Sequence, residues 1–318
     1  MGKLKYLSII ILLSAAVACR KTGVQSPEEL PVVFSTEQTK AGLSSVFENF
    51  RVWANCVSEG VSTGVMEGYR VNYDAEQGWT YISGDGTDGQ ELKYWNASAS
   101  EFRFHAGAPQ DRVIGISGSS LVLDMESTQT LSNTSLYSMP YPVLRTDPAF
   151  GNTVNLLFRY ANARINLSFR YLSDAEVIIT DISLTPSSPY AVSGRLAFGY
   201  DWERVSVTPG ALTDVTTSSD PLAFSRVVIP AQSGEAIATA SPWYMVPSAD
   251  AKGQWTLSLK VNGEVKQTAF TIDRAWEPGK SYVYRFEYTP DANLVFVGTT
   301  TELFVGEDLQ DGGEHNFS

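Results

Sequence analysis

Residues 282–288 read Tyr-Val-Tyr-Arg-Phe-Glu-Tyr, four aromatic side chains spaced two apart. Only an extended backbone puts residues i, i+2 and i+4 on one side, so this spacing dictates a strand with one buried face. The same period runs through residues 163–171, where Ala163, Ile165, Leu167, Phe169 and Tyr171 alternate with polar or charged neighbours. Segments rich in aromatic and β-branched residues recur at 46–57, 64–73, 77–82, 101–109, 113–125, 176–184 and 195–202, each bounded by turn residues. Asn262-Gly263 between two apolar runs is the strongest hairpin signal in the chain, since both residues accept the positive φ of a type I′ turn. Helical periodicity is confined to a short turn around residues 39–47. The expectation is an all-β chain.

The chain has 318 residues, of which 43% are hydrophobic and 12% aromatic, enough apolar surface for two cores of ordinary size. Between residues 127 and 151 the alternation gives way to Ser-Thr-Gln-Thr, Pro-Tyr-Pro and Asp-Pro, which is linker chemistry. Two tandem β-sandwich domains are therefore expected, 30–150 and 151–318, of transthyretin-like or immunoglobulin-like kind, the second ending in an acidic tail. Ahead of them, Lys3 and Lys5 precede an apolar run that ends in Ala15-Ala16-Val17-Ala18 before Cys19. This reads as a signal peptide over 1–18 and a tether over 19–29. The run is shorter than the roughly 18 residues of a membrane-spanning helix. A cysteine directly after a small-residue cleavage site resembles a lipobox, in which Cys19 carries diacylglycerol and several acyl chains make a lasting anchor.

Catalytic chemistry is thinly represented. The chain holds 35 acidic residues against 23 basic ones, a formal charge of −12, the wrong sign for a nucleic-acid binder. Its two histidines, His105 and His315, are too few for a histidine-based metal site, and His105 lies in a strand as a structural residue. Cys56 has no nearby histidine to activate it and reads as a small buried residue. The loop 85–91 is rich in oxygen ligands but lacks EF-hand spacing, so a glycine-rich hairpin loop is the reading. No cofactor, metal or enzymatic activity is expected.

The leader, the Val33-Phe34-Ser35 strand followed by Thr39-Lys40-Ala41, the aromatic series Trp79, Tyr94-Trp95 and 102–109, the run Leu156-Leu157-Phe158-Arg159-Tyr160-Ala161-Asn162-Ala163-Arg164-Ile165, and Trp276-Glu277-Pro278-Gly279-Lys280-Ser281-Tyr282 together resemble the fimbrillins, the pilin and accessory subunits of type V pili. The resemblance implies a lipoprotein held in the outer membrane through Cys19 and exposed at the cell surface in a fimbrium. It also implies other pilin subunits as partners through strand exchange, and host or bacterial surface ligands for an adhesin. A trypsin-like protease would remove the lipidated segment with the first strand, and the groove so exposed would accept a strand from the next subunit.

On that reading Val32, Val33 and Phe34 form the removable strand, and Lys40-Ala41, in a polar connection, is the preferred cleavage point; Arg51, the second candidate, sits inside a strand. Val295, Val297, Thr299, Thr301, Leu303 and Val305 would share one face of a donor strand. The same pattern equally suits the last strand of the second domain. A different class, a surface glycan-binding lipoprotein, would use exposed aromatics such as Trp79, Trp95 or Trp202 to stack on sugars.

Overall fold

The computed structural model describes residues 30–36, 47–82, 89–289 and 293–304, and among these the regular elements are strands joined by turns, with no α-helix. In chain order the first half contributes β1 (Phe34–Thr36), β2 (Asn49–Ser58), β3 (Val61–Asp74), β4 (Gly78–Thr80), β5 (Glu101–Ala108), β6 (Val113–Ser117), β7 (Ser120–Glu126), β8 (Leu136–Ser138) and β9 (Tyr141–Leu144). The second half contributes β10 (Val154–Leu156), β11 (Phe158–Tyr160), β12 (Ala163–Arg170), β13 (Val177–Pro186), β14 (Tyr190–Asp201), β15 (Ser206–Ser218), β16 (Leu222–Phe224) and β17 (Val227–Ile229). It ends with β18 (Ile237–Ala238), β19 (Trp243–Met245), β20 (Gly253–Val261), β21 (Glu264–Ile272), β22 (Lys280–Tyr288) and β23 (Leu294–Leu303). The fold is all-β, as the alternation requires.

The first sheet runs β11-β8-β5-β2-β3-β4, with β9 also on β5, and the parallel ribbon β1–β10 closes its core. Alternation on β2 sends Phe50, Val52 and Ala54 into this core and Arg51, Trp53 and Asn55 to the outer face. In the second half, β18-β12-β22-β23 with β19 packs against β16-β13-β20-β21 with β17. Tyr282, Tyr284 and Phe286 of β22 point inward, as their spacing predicts. The Trp276 indole donates to the Tyr284 hydroxyl at 2.9 Å and Trp255 to the Ala251 carbonyl at 2.9 Å, so both buried N–H groups are satisfied. Asn262 and Gly263, at φ 48° and 90°, make the β20–β21 turn.

Position 150 falls between β9 and β10, yet three sheets and two cores cross it, since β10 pairs with β1 and β11 with β8. A four-stranded sheet, β15-β14-β7-β6, pairs β7 from the first half with β14 from the second. It lies on the outer face of the first sheet, with Trp53 and Tyr137 packed against its core. Gly107 of β5 permits this approach: a Cβ there would stand 2.9 Å from Val113 and 3.0 Å from Leu123. The Asn162 side chain joins the halves, accepting from the Ser135 N–H at 3.0 Å and donating to the Glu126 carbonyl at 3.0 Å. Phe304, just past β23, stacks on Tyr160 with ring centroids 4.0 Å apart and belongs to the first core.

Candidate strand-exchange site

Residues 30–36, which include Val32, Val33 and Phe34, lie in a slot between two segments. On one side the Val32 N–H donates to the Lys93 carbonyl at 2.8 Å, and the Trp95 N–H donates to the Leu30 carbonyl at 3.0 Å. On the other the Val154 N–H donates to the Val33 carbonyl at 2.8 Å, and β1 runs parallel to β10 with Phe34 opposite Val154. Both edges of this short segment are therefore paired to the rest of the chain. Its faces follow the strand period: Val32 is fully buried and Phe34 nearly so, whereas Val33 is 41% exposed.

Phe34 occupies an aromatic socket. Its ring meets Phe50, Tyr81 and Phe104 edge-on at centroid distances of 6.0, 5.9 and 6.2 Å, the arrangement that the ring quadrupoles favour. The socket has supports of its own. The Tyr81 hydroxyl accepts from the Lys93 N–H at 3.1 Å and donates to the Lys93 carbonyl at 3.3 Å, bracing the rim from within. Burial raises the pKa of Tyr81, keeping this hydroxyl a donor. Trp95 packs behind the rim against Phe102, Phe104 and Phe150.

Cys19, Lys40, Ala41 and Val305 lie outside the described residues. Arg51 sits within β2, between β3 and β5, as its strand-like surroundings predict. Val295, Val297, Thr299, Thr301 and Leu303 are all exposed along β23, but a register shift at Val297, between Phe296 opposite Phe286 and Gly298 opposite Arg285, interrupts the strict alternation of its faces. The strand is hydrogen-bonded along its length to β22 and forms the outer edge of its sheet. Cys56 is buried. Trp95 is only 1% exposed and belongs to the first core, so it cannot stack on a sugar; Trp79 packs among Phe47, Phe50 and Tyr73. The local aromatic density that made both look like binding residues is core density. Phe304 was missed as an anchor, because a single aromatic after an exposed strand carries no periodic signal.

A two-part all-β protein whose first core is closed by a doubly paired N-terminal strand is the class these features define. The fimbrillin-like family model matches residues 40–302, and the chain belongs to that family. Similar solved structures are a fimbrial protein from Bacteroides vulgatus (11% identity, TM-score 0.53, covering 86% of this chain and 99% of that one) and a candidate cell adhesion protein from Bacteroides uniformis (16%, 0.50, 87% and 99%). A second candidate cell adhesion protein, from Bacteroides ovatus, is 12% identical with TM-score 0.50 over 82% of this chain and 89% of that one. At these identities they show a shared fold. No curated protein sequence matches the chain at a significant level.

Proposed function

We propose that this chain is a structural subunit or accessory adhesin of a cell-surface pilus, exported as a lipoprotein through Cys19 and assembled by strand exchange after cleavage at Lys40-Ala41. The supporting observation is the slot. Residues 30–36 close the first core through two side chains and pair on one edge with segment 93–95 and on the other with β10. Loss of that strand would leave unpaired backbone groups on both rims and an apolar socket between them, the two features a donated strand satisfies. The exposed side chains of Val295, Val297 and Leu303 on the edge strand support β23 as the surface offered to a neighbouring subunit.

The test is limited trypsin digestion of the full chain, followed by N-terminal sequencing and light scattering. A product beginning at Ala41 that assembles into oligomers, and a Lys40→Ala variant that stays intact and monomeric, are the expected results. A product beginning at Ala41 that remains monomeric, with its socket open, would overturn the proposal.

A further inference from the structure

We propose that Arg51 and Arg70, set directly opposite each other on the outer face of the first sheet beside the β6–β7 turn, bind an oxyanion: the carboxylate, sulfate or phosphate group of an acidic ligand. The pair lies on the side of the sheet away from the strand slot, so the site stands independently of strand exchange.

The pair follows from the register of β2 and β3, in which Arg51 stands opposite Arg70. Residues so placed share one face, with Cβ atoms about 4.5–5.5 Å apart. That face is the outer one, because the flanking Phe50, Val52 and Val71 are buried in the first core. The backbone of Arg70 is clamped by one side chain: its N–H donates to Gln90 Oε1 at 2.6 Å, and its carbonyl accepts from Gln90 Nε2 at 3.0 Å. On the other flank of Arg51 the β5 partner is Gly107, which brings no charge.

Two like charges directly opposite each other repel. Among the described residues neither guanidinium makes an ion pair or a hydrogen bond. Glu67, the acid on the same face, is one pair further along, opposite Trp53. Its carboxylate folds back over Gly64, where a Cβ would stand 2.7 Å from Oε1, and so turns toward Asn55 and away from the arginines. The Trp53 indole covers Gly68, which lies between Glu67 and Arg70 along β3; a Cβ there would stand 3.1 Å from the ring. Glu48 and Asp111, in the segments that flank β2 and β5, pair with neither arginine.

Access and charge decide the class of ligand. Arg70 is exposed. Arg51 is partly exposed and lines a cleft of about 650 Å³; its Nε is sealed, so it presents only its terminal nitrogens. The facing wall is Ile114, Gly115 and Ile116 of β6 with Ser119 of the turn, none of them charged. A cation would be repelled here, and a neutral ligand would leave the repulsion in place. An oxyanion accepts charge-assisted hydrogen bonds from both forks at once and cancels the like charge.

The experiment titrates the full chain with sodium acetate, sodium sulfate and sodium phosphate, at two ionic strengths each held constant with sodium chloride. Tryptophan fluorescence reports binding, since Trp53 adjoins Arg51 on the outer face. The expected result is a saturable change with at least one anion, weaker at the higher ionic strength and weakened about tenfold or more in Arg70→Gln. Arg285→Gln removes an exposed arginine of β22 that also lacks an ion pair, and should leave the affinity unchanged. Saturation by acetate assigns a planar carboxylate, and saturation by sulfate or phosphate alone assigns a tetrahedral group; both support the site. Because Arg70 is exposed, Arg70→Gln decides the question even where Arg51→Gln fails to fold. No saturable response to any of the three anions, a response undiminished in Arg70→Gln, or an equal loss in Arg285→Gln would each overturn the proposal.

Discussion

Phe34→Ala isolates what the N-terminal strand contributes. The ring is 5% exposed and contacts three aromatic rings, Phe50 of β2, Phe104 of β5 and Tyr81 just past β4. Truncating a buried phenylalanine to alanine costs about 3–5 kcal/mol, combining lost transfer energy with the cavity left behind. The socket is braced through Tyr81 and Trp95 and cannot collapse fully, but the short strand can shift inward, so about 3 kcal/mol is the expected loss. If that loss falls on opening of the strand rather than on global unfolding, protection of the Trp95 and Val154 amides should drop by about 100-fold, at roughly 1.4 kcal/mol per decade. Native-state hydrogen exchange reads this directly, because both amides donate to carbonyls of residues 30–33. Leu257, buried in the second core, should keep its protection. Val33→Ala, at the exposed position next door, should change stability by less than about 0.5 kcal/mol. Equal effects of Phe34→Ala and Val33→Ala would refute the assigned facing. An equal loss of protection at Leu257 would refute separate opening of the strand.

Burial lowers the pKa of His105 from 6.5 to about 4. The unfolded chain therefore takes up a proton below pH 6.5 while the folded chain resists until about pH 4. The corresponding stability is complete above pH 6.5 and falls by roughly 3 kcal/mol as the pH drops to 4. His105→Phe keeps the ring stack and removes the titration, so urea midpoints measured across that interval should show a flatter pH profile than the parent. Phe304→Ala should cost about 3 kcal/mol in urea denaturation, because the residue after an exposed strand fills the space between Tyr160 and Tyr244. Gly107→Ala should cost about 1–3 kcal/mol by overpacking against Val113 and Leu123, seen as a lowered thermal midpoint.

Strand content, the inward aromatics of β22, the Asn262-Gly263 turn and the family membership were legible in the sequence, since each rests on neighbours within a few residues. The period of two also told which side chains share a face: Val32 with Phe34, and Tyr282 with Tyr284 and Phe286. What it could not tell is what a face meets. The exposed row on β23 and the buried row on β22 have the same spacing, and only the packing of the second sheet against β22 separates them. Trp95 and Trp202 likewise sit in similar aromatic surroundings along the chain, yet one fills the first core and the other borders a cleft.

By itself, then, the sequence determined that this protein is built of strands, where many of them turn, and which residues alternate together, because backbone geometry and local sterics set those features. The tertiary structure decided that β7 pairs with β14 across the midpoint, that Phe304 returns to the first core, and that Arg51, Trp53 and Trp202 meet around one cleft. Strand partners far apart in the chain are chosen by which apolar faces can be buried at once, a property of the whole fold that no local pattern encodes.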